Sequence, residues 1–169
     1  MQAVGYVGFL FVVLSFQKDK RSTILLYLVI AQIFFTAHFS LLHAWTGAAM
    51  NALAGIRTFL FYKRDVIPLF KNIVWMYAFM AIFLVVGLLT WQGWHSLLLI
   101  LAMVVDSFAV WNERTSRIRA FMIIPRPLWF TYNFIVGSYA GMMTEIFVFL
   151  SLLVAILRFD ILHNKERKL

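Results

Sequence analysis

The 35 residues from Ser22 to Ile56, STILLYLVIAQIFFTAHFSLLHAWTGAAMNALAGI, hold no Asp, Glu, Lys or Arg and lie between Arg21 and Arg57. A single helix crosses a bilayer core in about 20 residues, so this window is too long for one span and too apolar for a soluble loop. It reads as a helical hairpin. The 34 residues between Lys71 and Asp106 have the same character and read as a second hairpin.

Composition extends that reading to the whole chain. With 63% hydrophobic and 13% charged residues and a mean hydropathy of +0.88, the sequence is far from a soluble domain, which is about a quarter charged. An all-α integral membrane protein follows, with room in 169 residues for six or seven short-looped spans and no separate soluble domain. The formal charge of +8 raises the question of nucleic acid. Its basic residues stand in short clusters beside apolar spans rather than on one soluble face, so the expected contact is with lipid phosphates and not with nucleic acid. The absence of cysteine removes disulfides, thiol nucleophiles and thiolate metal sites. Met1-Gln2-Ala3 has no basic n-region, and Val4 to Phe16 runs into Gln17-Lys18-Asp19-Lys20-Arg21 without a small-residue cleavage pattern. The segment reads as a first, short span rather than a signal peptide.

Seven spans result, at about 3–16, 23–42, 45–62, 72–91, 95–112, 120–137 and 139–158. Lys18, Lys20 and Arg21 follow the first, Lys63, Arg64 and Lys71 the third, Arg114, Arg117 and Arg119 the fifth, and Lys165, Arg167 and Lys168 the last. The intervening turns at Leu42 to Gly47, Trp91 to Ser96 and Gly137 to Gly141 contain no Lys or Arg. By the positive-inside rule the N-terminus faces the periplasm and the C-terminus the cytoplasm, with Trp45, Trp91 and Trp94 as anchors on the outer side.

Phe35-Thr36-Ala37-His38-Phe39 lines up with Phe130-Thr131-Tyr132-Asn133-Phe134, and Ser15-Phe16 with Ser107-Phe108. The pattern is three spans, one linker span and three again, both triplets starting on the same side, which is a parallel repeat. Sixteen residues separate Phe35 from Asn51, and sixteen separate Trp129 from Glu145. On adjacent antiparallel helices each aromatic and polar pair has comparable depth and can converge on a cavity between bundles. The expected units are 1–65 (first three-helix bundle), 66–92 (linker helix), 93–160 (second bundle) and 161–169 (a basic tail).

Met1 to Gln17 with Ser15-Phe16-Gln17, the His38-Phe39 and Leu41-Leu42 stretch, Asn51 to Arg57, and Trp129 through Glu145 to Arg158-Phe159-Asp160 resemble the YgjV family of bacterial inner-membrane proteins. More distantly, the layout is similar to the PQ-loop superfamily, which includes SWEET sugar facilitators, PnuC-type vitamin transporters and the KDEL receptor. That resemblance implies Trp129 and Asn51 at a central solute site, with Phe35 and Glu145 at the corresponding places of the other copy. It also has gaps. There is no Pro-Gln dipeptide, hinge prolines occur only in the second copy as Pro125 and Pro127, and Glu145 stands where a neutral amide is expected. A polar or cationic solute fits better than a sugar.

Ionisable residues inside spans usually face a partner or a water-filled cavity. Glu145 is either a cavity-facing carboxyl that binds solute or a proton, or a structural hydrogen-bonding group. Asp106 and Arg126 flank the Arg114 to Arg119 turn at matched depth and are expected to pair, as a structural clamp or an inner gate. Arg57 and Arg158 are expected to snorkel from helix ends to phosphates. His38 shares the face of Phe35, and Asn133 that of Trp129, so His38 is either cavity lining or core. His43 and His95 belong to solvated outer turns, and His163 to the tail. Small residues from Gly47 to Gly55 permit close helix approach around Asn51, and Pro125 and Pro127 must disturb the sixth span. The histidines and carboxylates have no metal-binding spacing, and no nucleophile constellation suggests an enzyme or a cofactor. The sequence therefore points to a small-solute transporter with a site at Phe35, His38, Asn51, Trp129, Asn133 and Glu145. A non-transporting receptor or accessory protein is the competing reading, and the oligomeric state stays open.

Overall fold

Three residues with positive φ, His43 (56°), Gly93 (139°) and Gly137 (68°), occupy the three turns that lack Lys and Arg. In a computed structural model of the protein, which describes residues 1–16, 21–64, 66–112 and 114–158, they mark where helices reverse. The helices are α1 (Gln2–Phe16), α2 (Arg21–Leu41), α3 (Trp45–Lys63), α4 (Val74–Leu89), α5 (His95–Trp111), α6 (Thr115–Ile123), α7 (Pro125–Ile135) and α8 (Tyr139–Ala155), with a 3-10 turn at Pro68–Lys71. All regular structure among the described residues is helical. Two helical stretches, Ser22–Leu41 and Tyr139–Arg158, are long and apolar enough to cross a membrane, while Gln2–Ser15, Val74–Leu89 and His95–Trp111 are apolar but shorter. The expected basic tail, with His163, lies outside the described residues, as do Lys18, Lys20 and Asp160.

The sixth expected span, 120–137, is two helices instead of one. It starts earlier, at Thr115, so that Arg117 and Arg119 belong to α6 rather than to a turn, and its hydrogen-bond ladder is interrupted at Ile124, whose backbone stays in the right-handed helical region (φ −59°, ψ −44°). Pro125 explains the interruption. It has no N–H to donate, its ring crowds the carbonyl four residues back, and it is tolerated as the first residue of a new helix.

Neighbour relations close the helices into a ring. α1 packs on α2 and α2 on α3; α5 packs on α6 and α7, and α7 on α8; α8 returns to α1, and α4 joins α3 to α5. Each helix turns one 3.6-residue stripe inward: Ala31, Phe35 and His38 on α2, Met50, Ala54, Arg57 and Phe61 on α3, and Gly141, Glu145, Val148 and Leu152 on α8 are all buried.

The turns after α2 and α7 are built alike. Ala44 N–H donates to Phe39 O (2.9 Å) and His43 N–H to Ser40 O (3.1 Å); Ser138 N–H donates to Asn133 O (2.8 Å) and Gly137 N–H to Phe134 O (3.3 Å). Both are Schellman closures around a left-handed residue, and they lie 94 positions apart. The same offset relates Trp45 to Tyr139, Gly47 to Gly141, Gln32 to Arg126, and Asn51 to Glu145, and it shifts the expected alignment of Phe35–Phe39 by one residue, onto Trp129–Asn133.

Neutral hydrogen bonds tie these turns together at the uncharged end. Thr46 Oγ1 bonds Thr90 O and Ser96 Oγ, and Gln92 Nε2 donates to His43 O (2.9 Å), joining the α2–α3 and α4–α5 turns. Gln2 Nε2 donates to Gly137 O (2.7 Å), fastening the start of α1 to the α7–α8 turn.

Helix contacts in lipid rest on close packing rather than on apolar burial, and Gly87 is a point of closest approach. A Cβ there would overlap Ile100 Cγ1 and reach 2.7 Å from Met50 Cε, whereas one at Gly55 would sit 3.7 Å from Gln32 Cβ. Gly87→Ala is therefore expected to cost about 1–3 kcal/mol and lower the apparent Tm in detergent, with Gly55→Ala near neutral; equal Tm values would contradict this packing.

Candidate functional site

Arg126, the second residue of α7, lies just past the helix break, and its guanidinium sits between α5 and α8. Nη2 donates to Asp106 Oδ1 and Oδ2 (2.9 Å each), Nη1 to Glu145 Oε2 (3.1 Å), and Nε to Met122 O (3.0 Å). All three side chains are about nine-tenths buried. Arg57 lies next to this trio. It is 3% exposed, donates from Nη1 to Ser107 Oγ (2.8 Å), lies 5.3 Å from the Phe83 ring centroid and is within electrostatic range of Asp106 and Arg126.

Two cations and two carboxylates thus make a formally neutral group inside an apolar ring. Neutrality matters because desolvation costs several kcal/mol per ion, while a close pair recovers only about 4 kcal/mol at an effective dielectric of 20. Arg126 serves both acids, while Arg57, whose Nη1 donates to Ser107, has a buried Nε without a hydrogen-bond partner. Chemically, it presents two carboxylates to one occupant, and that occupant is at present a side chain.

An aromatic cluster fills the middle of the ring beside this group. Phe39, Trp129 and Tyr132 form a triangle with centroids 6.0–6.1 Å apart, and Phe35 joins it at 6.2 Å from Phe39. Tyr132, fully buried, accepts at its hydroxyl from Gly47 N–H (3.0 Å). His38 stands between Met1 O (Nδ1, 3.1 Å) and Ser138 Oγ (Nε2, 2.8 Å). A carbonyl only accepts, so Nδ1 carries a proton. Ser138 Oγ also accepts from Gly141 N–H (3.1 Å), so one hydroxyl joins His38 to the first turn of α8.

A family model described as a bacterial inner membrane protein, Imp-YgjV, matches residues 1–162. The chain belongs to the YgjV family. No curated protein and no solved structure matches it.

In this YgjV chain the residues singled out from sequence fall into three places. Asp106 and Arg126 are paired, with Glu145 as a further member. Glu145 is thus held by Arg126 and does not sit with Trp129 around an open cavity. Phe35, His38 and Trp129 meet in the packed interior, where His38 fastens α2 to the starts of α1 and α8. Asn133 is buried there too, its Oδ1 without a hydrogen-bond partner. Asn51 is elsewhere. Its Nδ2 donates to Gly47 O (3.0 Å), and it lines a groove of about 560 Å³ between α2 and α3 with Gln32, Thr36 and Gly55. Arg57, expected to snorkel, points inward because α3 continues to Lys63 and Ser107 stands opposite. Arg158 is exposed and His43 exposed, but His95 packs on Tyr132 at 5.7 Å. Pro125 and Pro127 belong to the first turn of α7. Phe39, Ser107 and Ser138 were missed in the sequence, since short polar or ordinary apolar side chains carry no signal until their neighbours are known. Among the described residues no group of His, Asp and Glu is arranged to hold a metal.

Arg126→Met would leave two buried carboxylates sharing one distant cation, a loss of about 3–5 kcal/mol. Asp106→Asn keeps the Arg126–Glu145 pair and should cost less. Unfolding of the purified variants in detergent should give that order, and the reverse order would remove Arg126 as the hub.

Proposed function

We propose that the protein is a multi-pass carrier of a small polar or cationic solute in the bacterial inner membrane, the solute engaging Asp106 and Glu145 in exchange for Arg126. The observation that carries this reading is the buried Asp106–Arg126–Glu145 trio. Charges inside a membrane bundle are costly and characteristically belong to solute or proton pathways. Arg126 then acts as a tethered stand-in, so a cation or a proton arriving at the carboxylates competes with it. Proton coupling is one form of that exchange.

The 94-residue offset and the paired Schellman turns support a parallel repeat of two three-helix units joined by α4, with the seven spans oriented N-terminus out and basic turns in. Movement of one unit against the other gives alternating access. In this reading the neutral bonds among Thr46, Gln92 and His43 close the outer end, the break at Ile124 supplies a hinge, and Phe39, Trp129 and Tyr132 block the path until the units move. Asn133 offers a buried amide beside that path. The same aromatic packing favours a second reading, a non-transporting receptor or accessory protein whose charge cluster only sets its shape.

Uptake into proteoliposomes, measured over a panel of small amines, guanidines, vitamins, sugars and nucleosides, separates the two. At least one solute should accumulate, and Asp106→Asn or Glu145→Gln should reduce its uptake tenfold or more, about 1.4 kcal/mol. Uptake that survives both Trp129→Ala and Glu145→Gln would remove this site, and saturable binding without flux would favour the receptor.

A further inference from the structure

The basic end of the bundle contains a cavity of about 620 Å³ bounded by Arg64, Lys71, Arg114, Arg117, Trp111 and Ile73, with Asn112. It lies between the end of α3, the start of α4, the end of α5 and the start of α6, apart from the charge cluster described above. Four of the described lining residues are cations and none is an acid. In sequence, Lys63 to Lys71 and Asn112 to Arg119 carry six basic residues against Asp65 and Glu113, whose positions lie outside the described residues. Excess positive charge remains whichever way those two acids point.

Geometry gives this charge a shape. Arg64 is oriented by donating from Nη1 to Trp111 O (3.2 Å) and by standing 5.0 Å from the centroid of the Trp111 ring, so its guanidinium is held at the wall rather than sweeping through solvent. The nine-residue α6 begins at the cavity with Arg114 as its N-cap, whose side chain does not cap it, so the positive end of a helix stands beside three arginines. The start of α4 differs, because Asn72 Oδ1 already accepts from Val74 N–H (3.0 Å). Trp111 and Ile73 add an apolar wall. A volume of this size suits a small ligand, and guanidinium groups and helix N–H groups are the donors that bind phosphate oxygens.

We infer that this cavity binds a phosphate-bearing ligand, with a phosphate seated among Arg64, Lys71, Arg114 and Arg117 and an apolar portion against Trp111 and Ile73. The phosphate has two sources, an anionic lipid headgroup of the surrounding leaflet or a soluble phosphorylated molecule.

Two arms distinguish them. The purified full-length protein in neutral detergent is titrated with inorganic pyrophosphate, and separately reconstituted in phosphatidylcholine vesicles with and without phosphatidylglycerol, following thermal stability in each. The double variant Lys71→Gln/Arg117→Gln alters two exposed side chains and should keep its helix content. Lys63→Gln is the control: it removes a charge from the same end, but Lys63 lies against Phe59 and Tyr62 and not on the cavity wall. Stabilisation by pyrophosphate identifies a soluble ligand, and stabilisation by phosphatidylglycerol alone identifies the headgroup. In either case the double variant should weaken the effect about tenfold or more, as expected for loss of charge-assisted hydrogen bonds, and Lys63→Gln should leave it unchanged. No stabilisation in either arm, or an equal loss in Lys63→Gln, overturns the site.

Discussion

Sharing one guanidinium between two buried carboxylates constrains everything around it. Arg126 reaches α5 and α8 at once, so three helices have their relative depth fixed by a single side chain. Bare carboxylates would not stay charged in such a place, and Arg57 supplies the remaining positive charge from α3. The gap in the hydrogen-bond ladder at Pro125 belongs to the same solution: beside it Arg126 Nε uses Met122 O, the carbonyl four residues back. Fixed charge, interrupted ladder and ring closure are thus one arrangement seen from three sides.

The turns after α2 and α7 share a construction, but the residues beside them do not share a chemistry. The same tight closure ends α2 and α7, and a glycine in the same place on the next helix, Gly47 or Gly141, admits the side chain at the matching position, Phe39 or Asn133. Where the second half has Arg126 and Glu145, the first has Gln32 and Asn51, two neutral amides. Gln32 donates from Nε2 to Thr58 Oγ1 (3.2 Å) and needs no countercharge. The first half can therefore leave its α2–α3 groove open, whereas the second fills the equivalent place with an ion pair. Like turns with unlike side chains beside them make the α2–α3 and α7–α8 pairs chemically different.

Much of this was readable before any coordinates, and the part that was not has a definite cause. Charge-free windows between Arg21 and Arg57 and between Lys71 and Asp106 located the hairpins, because helix length and polarity are one-dimensional properties. Counting from a turn also gave Asp106 and Arg126 equal depth. Depth is not azimuth. Successive residues on a helix point 100° apart, and Asn51 follows Met50 by one position: Met50 belongs to the buried stripe with Ala54, Arg57 and Phe61, while Asn51 turns toward the groove. The sixteen-residue spacing thus matched Asn51 and Glu145, both buried, in height without indicating that Glu145 meets Arg126 while Asn51 bonds Gly47 O. Arg57 failed for the opposite reason. Its distance from the helix end suggested an escape to water, but its face points at Ser107. Whether the aromatic side chains of Phe39, Trp129 and Tyr132 enclose a space or fill it depends on rotamers that no sequence spacing encodes.

The two ends of the bundle are governed by different forces, and this separates the variables to which they respond. At the uncharged end, Thr46, Ser96, Gln92, Gln2 and Ser138 connect turns through bonds between neutral groups, which dissolved salt hardly screens. At the other end Arg64, Lys71, Arg114 and Arg117 crowd together, and their mutual repulsion decays over a Debye length of about 8 Å at physiological ionic strength. Ionic strength therefore acts as a one-sided control. Raising it weakens the repulsion among these four cations and hardly touches the neutral bonds of the opposite seam, so the two ends of the bundle answer to different properties of the surrounding solution.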